Sequence, residues 1–118
     1  MNRIKKYFAL AAKVAQLGDS KEANRQYRIG SVGVRKDGVI VCSSNVSIRT
    51  PNKDAHAEAR LAKKLTPQSV VFVVRIDRAG DFKMAKPCEA CAKKLRLSKI
   101  RKCYYTINNS EYGVIEYD

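Results

Sequence analysis

No stretch of the 118-residue chain is apolar for long enough to cross a bilayer as a helix, which takes about 20 residues, so a helical membrane span is excluded. Acidic residues are scarce. Eleven Asp and Glu stand against 24 Lys and Arg, a formal net charge of +13. So large an excess on a small domain favours polyanionic or phosphorylated partners, and a solvated surface that keeps the chain soluble accounts for it as well. There is a single histidine, His56, so any chemistry that needs an imidazole rests on that position. Internal repeats and low-complexity segments are absent, which argues against a solenoid or a repeat array.

What is present fits one domain spanning residues 1–118, long enough to bury most of its apolar surface without disulfide staples. The four cysteines are Cys42, Cys88, Cys91 and Cys103. An even count allows disulfides, but nothing else suggests secretion, and Cys88 and Cys91 have metal-ligand spacing. Cys42 and Cys103 fall in apparent strands and are expected to be small buried thiols. A reducing cytoplasm is the expected compartment. Residues 1–17 have early lysines and an apolar middle, as a signal peptide does. Lys13 breaks that run, however, and Ile4, Tyr7, Phe8, Ala11, Val14 and Ala15 recur at helical spacing. An amphipathic helix is expected there, capped by Asn2 and ended by Gly18.

Tyr27 to Arg35 and Val39 to Ser43 read as strands joined across Lys36-Asp37-Gly38, a hairpin signal. Asn45 to Lys53 is a loop. Asp54 can cap a helix running to about Leu65, stopped by Thr66-Pro67. Val70 to Ile76 is almost unbroken in apolar, mostly β-branched residues, the pattern of a strand buried on both faces. Phe82 to Met84 reads as a short edge strand. Pro87 suits the first turn of a helix over Cys88 to Leu97, and Ile100 to Ile107 is the next strand. The four residues Asn108 to Glu111 are too few for a parallel crossover, so Tyr112 to Tyr117 must return as an antiparallel partner.

Two short segments carry the chemistry: His56-Ala57-Glu58 and Pro87-Cys88-Glu89-Ala90-Cys91. His56, Cys88 and Cys91 can give one zinc ion a nitrogen and two thiolates and leave a tetrahedral corner open, as catalytic zinc sites do. In a helix Cys88 and Cys91 are three apart and share a face. Glu58, two residues after the histidine, is close enough to handle protons without ligating the metal. Taken alone, the Cys-x-x-Cys pair is also compatible with a redox pair or with half of a structural zinc site.

The ordered set, H-A-E followed by P-C-x-x-C, resembles the cytidine and deoxycytidylate deaminase superfamily, which includes the tRNA adenosine deaminases. The resemblance runs from about Arg28 to about Ile107. It includes Arg28-Ile29-Gly30-Ser31-Val32-Gly33-Val34, which looks like the first core strand of that family. It implies a three-layer α/β/α fold with a mixed five-stranded sheet, two helices bearing the zinc ligands, and the N-terminal helix on the other face. It also implies hydrolytic deamination with one Zn²⁺ per chain. The metal lowers the pKa of a water, which attacks the ring carbon bearing the amine, while Glu58 moves the proton as base and then as acid.

Asn45 stands where many members place an asparagine that touches the sugar, and the backbone N–H of Ala57 is the candidate base contact. An antiparallel last strand pair is, within this superfamily, typical of enzymes acting on free nucleosides, so a cytosine nucleoside or nucleotide is the expected substrate. The net charge keeps a second substrate class open, cytosine or adenine within single-stranded DNA or RNA. A non-catalytic zinc domain that binds nucleic acid is the third reading. Lys93, Lys94, Arg96, Lys99, Arg101 and Lys102 form a dense basic cluster that suits a phosphate backbone. A solvated face or an oligomer contact accounts for it equally. Superfamily members often build active sites at subunit interfaces, so a homo-oligomer is expected. Tyr27, Tyr104, Tyr105 and Tyr112 are assigned no binding role.

Overall fold

The structure, a computed structural model, describes residues 3–16, 28–44, 61, 64–77, 79–87 and 89–117. Helix α1 (Arg3–Gln16) is followed by strands β1 (Arg28–Val34), β2 (Ile40–Ser44), β3 (Val70–Ile76) and β4 (Phe82–Lys83). Helix α2 (Glu89–Leu97) then leads into β5 (Lys102–Thr106) and β6 (Tyr112–Glu116). The sheet order is β2-β1-β3-β5-β6, with the two-residue β4 paired to β3. It is a mixed sheet: β3 and β5 run parallel, and the other pairs are antiparallel. The expected α/β class, five-strand path and terminal antiparallel hairpin are all present.

β3 is the centre. Its residues alternate between two hydrophobic clusters, one on each face of the sheet. Phe72, Val74 and Ile76 pack with Phe8, Ala11, Val14 and Ala15 of α1. Val71 and Val73 pack on the opposite face with Leu61, Leu95 of α2, Ile100 and Cys103. An apolar run without polar alternation thus becomes a strand covered on both sides. α1 follows its sequence spacing: Phe8, Ala11, Val14 and Ala15 lie on one stripe and are buried, while Lys5, Lys6 and Lys13 face solvent. Its aromatic residues join a ring cluster in which Phe72 stacks on Tyr104 at 5.0 Å and meets Phe8 edge-on at 5.7 Å.

The hairpin between β1 and β2 turns where Asp37-Gly38 marks it. Gly38 has a φ of 88°, and the Asp37 carboxylate accepts the Val39 amide at 3.0 Å. The turn joining β3 to β4 is built the same way. Asp77 Oδ1 accepts the amides of Ala79 (2.9 Å) and Asp81 (3.0 Å), and Lys83 Nζ lies 3.6 Å from Asp77 Oδ2. Desolvation pushes the Asp77 carboxyl upward, but those amides and Lys83 outweigh it and hold it below its ordinary value.

One cysteine departs from expectation. Cys103 is buried, as expected, but Cys42 is exposed. Cys42 pairs with Val32 and so shares its face of the sheet, the face that α1 covers. α1 lies mainly over β1 and β3. β2 is the edge strand beyond it, and the Cys42 side chain is left in solvent.

α1 comes so close to β1 that the contact needs a glycine. A Cβ on Gly30 would overlap the carbonyl oxygen of Ala11 and the amide nitrogen of Ala15, both backbone atoms that cannot swing aside. Gly30→Ala is expected to lower the unfolding free energy by about 3 kcal/mol, the upper end for overpacking, read from the urea midpoint. A loss below about 1 kcal/mol would contradict this packing.

Tyr117, just past β6, has its hydroxyl buried without a hydrogen-bond partner among the described residues. Burial pushes its phenol above the ordinary value of 10.0, Cys103 adds to the rise, and Arg96 opposes it. The unfolded chain therefore ionises first. The stability this neutral phenol contributes is complete below the unfolded pKa and is lost as pH rises through the folded one. Tyr117→Phe is expected to leave the melting temperature unchanged at neutral pH and to blunt its decline above about pH 10. Parallel alkaline declines in the two proteins would refute the assignment.

Candidate active site

Chain direction sets where chemistry can sit. β3 and β5 are parallel, so the connection between them must run back along the sheet, and α2 supplies most of that return. The far end of α2 is tied down beside the start of β3. The Gln68 amide donates to the Lys99 carbonyl at 2.9 Å, and the Arg101 amide donates to the Ser69 carbonyl at 2.8 Å. Nine residues of helix span about 13 Å. The first turn of α2 therefore lies toward the C-terminal ends of β3 and β5, the end at which open α/β sheets bind ligands.

Cys91 stands in that first turn. It is 1% exposed, and Leu95, one turn on, is fully buried against Val71, Val73 and Cys103. The two are four residues apart, so Cys91 lies on the inward stripe of the helix. The N–H groups of a first turn lack intrahelical partners and favour negative charge. A buried sulfur at this position suits a thiolate ligand to a soft or borderline metal such as zinc. Pro87 is buried just ahead of the helix, as a residue with a fixed φ at a helix entrance should be.

The segment that delivers this cysteine is held by the end of β5. Thr106 is 1% exposed; its hydroxyl donates to the Lys83 carbonyl at 2.8 Å, and its own carbonyl accepts the Ala85 amide at 2.8 Å. From the β5–β6 loop, Asn109 adds a second tie. Its Oδ1 accepts the Phe82 amide at 2.7 Å, and its Nδ2 donates to Asp81 at 3.0 Å. Sequence reasoning gave neither Thr106 nor Asn109 a role. The Asn-Asn pair in a four-residue connection signalled only a turn, because its partners lie 27 and 28 residues away.

Of the candidate catalytic, substrate-binding and metal-ligating residues, Cys91 is among the described residues. Asn45, His56, Ala57, Glu58 and Cys88 lie outside the described residues, as does most of the stretch 54–65 that the sequence suggests is a helix. The neighbours of these segments are fixed. Ser44 pairs with Gly30, which pairs in turn with Val74 in the C-terminal half of β3. Leu61 is fully buried on the α2 face, and Leu65 lies so close to Gly33 that a Cβ there would overlap it. Among the described residues no group of three or more metal-ligating side chains gathers. In the basic cluster Lys93, Arg96, Lys99 and Arg101 are exposed, Lys94 and Lys102 are half-buried, and Lys102 lies 3.6 Å from Glu116. Lys99 and Arg101 lie past the end of α2 farther from Cys91. No described helix is long and apolar enough to cross a membrane.

Comparison with known proteins agrees with this architecture. Among solved structures, cytidine deaminase from Burkholderia pseudomallei superposes with a TM-score of 0.69 at 19% identity, covering 98% of this chain and 93% of that one. Cytidine deaminase from Mycobacterium leprae gives 0.65 at 17%, covering 97% and 94%. That from Mycobacterium tuberculosis gives 0.57 at 17%, covering 90% and 85%. At such identities the likeness is one of fold. A search of curated proteins finds no match. Residues 1–107 match the family model described as the cytidine and deoxycytidylate deaminase zinc-binding region, and the chain belongs to that family.

Proposed function

We propose that the protein is a zinc-dependent hydrolytic deaminase that converts cytosine to uracil in a free (deoxy)cytidine nucleoside or nucleotide. Family membership supports the reaction class. The observation that carries the choice of substrate is the antiparallel pairing of β5 with β6, Thr106 opposite Tyr112 and Lys102 opposite Glu116. That pairing is the arrangement associated in this superfamily with free nucleosides. The similar solved structures are cytidine deaminases, which supports the same choice.

His56, Cys88 and Cys91 would hold the metal and leave one coordination position open. When bound, zinc supplies Lewis acidity at the reacting centre. Glu58 accepts a proton from the attacking water, passes it to the adjacent ring nitrogen, and later supplies the proton that lets ammonia leave. Water adds at the ring carbon, the carbon–nitrogen bond breaks, and a carbonyl remains. Asn45 contacts the sugar, and the Ala57 N–H contacts the base. Thiolate ligands suit a reducing compartment such as the cytoplasm. The expected assembly is a homo-oligomer.

The deciding measurement is ammonia release by zinc-loaded protein from cytidine, deoxycytidine, their monophosphates, and short single-stranded DNA and RNA. Turnover of the small substrates is expected. Turnover confined to oligomers would replace this reading with a polynucleotide deaminase. Glu58→Ala is expected to stay folded and zinc-loaded while turnover falls about 10²- to 10⁴-fold. An unaltered rate in that variant would remove Glu58 from the chemistry, and no turnover of any substrate by the parent would favour a binding domain.

Metal content gives an independent check. Cys91→Ser is expected to lower the zinc per chain well below that of the parent protein, read by atomic absorption. Full retention of zinc would remove Cys91 from the ligand set.

A further inference from the structure

A cavity of about 310 Å³ opens between α1 and the β5–β6 hairpin. Its residues from α1 include Phe8, which belongs to the cluster on the α1 face of the sheet, whereas Leu95 of α2, one turn on from Cys91, packs against the other face. The strand layer lies between the two places, and Phe82, Thr106 and Asn109, which tie the segment leading to Cys91, also form one wall of the cavity. The volume lies at the small end of the range of ligand pockets, about 300 to 1,000 Å³.

The lining combines three kinds of group. Phe8, Phe82 and Tyr112 supply aromatic surface. Phe8 is 5% exposed, but Tyr112 is 45% exposed, although its ring lies 5.7 Å from Phe8 and 5.9 Å from Tyr104. A ring backed by other rings on one side and open on the other is a surface on which a planar base stacks. Lys5 supplies a cation. It is exposed and forms no ion pair among the described residues. Glu111 supplies a carboxylate in a fixed place, since Asn108 Nδ2 donates to its Oε1 at 2.9 Å and Asn108 Oδ1 accepts its backbone amide at 2.8 Å.

These two charges narrow the ligand. An apolar molecule would leave both unmatched, and a simple anion would meet repulsion from Glu111. An uncharged planar ring would leave Lys5 unused. A nucleotide whose base carries an exocyclic amine satisfies all three groups: phosphate toward Lys5, ring on Tyr112, and amine donating to Glu111. Carboxylates accept from base amines in this way in nucleic-acid recognition. The net charge of +13 raises the local concentration of such an anion. We propose that this cavity is a second binding site, distinct from the metal-ligand segments, for a nucleotide bearing an amino base, either free or as one unit of a single strand.

The test uses the full-length protein and follows amide chemical shifts during titration with adenosine monophosphate, adenosine and uridine monophosphate. Adenosine monophosphate should shift residues 5–9 and 108–112 saturably. Adenosine, which lacks the phosphate, and uridine monophosphate, which lacks the amine, should each bind about tenfold or more weakly. Lys5→Gln should erase the preference for the phosphate and Glu111→Ala, which removes the acceptor, the preference for the amine. Both residues are exposed, so neither change threatens folding. A hexamer of adenylate binding about tenfold or more tightly than the monomer identifies a strand as the ligand, and equal affinity identifies the free nucleotide. The proposal is overturned if millimolar adenosine monophosphate leaves those residues unshifted. It is overturned equally if wild-type protein binds all three ligands alike, or if Lys5→Gln has no effect.

Discussion

A strand that is apolar on both faces must be covered twice, and that requirement organises this protein. Val71, Val73 and Val74 have no exposed surface, and Phe72 and Ile76 have almost none. Each buried side chain of that size contributes about 1.5–3 kcal/mol when fully shielded, so β3 forces a helical layer onto each face. α1 supplies one layer through a single aromatic and small-residue stripe. The other comes from Leu95 of α2 together with Leu61. A three-layer domain is the consequence of one seven-residue sequence that water would penalise on either side.

Coverage then dictates direction. With β5 parallel to β3, α2 must start near the strands' C-terminal ends and finish near their beginnings. The finishing end is stitched shut by backbone hydrogen bonds. Two of the residues there, Gln68 and Lys99, adopt left-handed conformations with φ of 71° and 58°. Such conformations cost non-glycine residues about 1 kcal/mol or more each and persist only where the surroundings hold them. Here the Gln68 amide bonds directly to the Lys99 carbonyl. The starting end has a different character: a buried cysteine, a buried proline, and a lead-in segment clamped by Thr106. Rigid ties at one end leave the helix start at the other as the place where a ligand set can be presented.

Much of this was legible from residue patterns. β3 could be bounded to the residue because an apolar run is interrupted cleanly by Ser69 and Asp77. The β1–β2 turn was legible in Asp37-Gly38, and the antiparallel return of β6 in a connection too short for anything else. The candidate metal segments were legible as spacing alone, and one member, Cys91, lies buried in the first turn of α2. What could not be read is where a helix stops covering its neighbours. Cys42 looks like a core thiol in a β-rich stretch, and its exposure follows only from the breadth of α1 relative to the five-strand path of the sheet. Likewise Thr106 and Asn109 act on segments more than 20 residues away, and no local pattern encodes such partners.

The basic residues separate into two populations once the helices are in place. α2 obeys the electrostatics of a helix: Glu89 opens it, and Lys94 and Arg96 close it, each favourably placed against the macrodipole. Lys102 is half-buried 3.6 Å from Glu116. Part of the cluster that stood out in sequence therefore has a local reason to be basic. α1 breaks the same rule. Its first turn contains no acidic residue, and Arg3, Lys5 and Lys6 crowd the end where positive charge is disfavoured, by about 0.3–1 kcal/mol each. All three are exposed, and Lys6 Nζ lies 5.9 Å from the centroid of the Tyr7 ring. A charge that helix electrostatics opposes is compatible with the anion site proposed above and with a solvated surface. Among the described residues such charges gather at the helix end beside Tyr112, on the side of the sheet away from the cysteine.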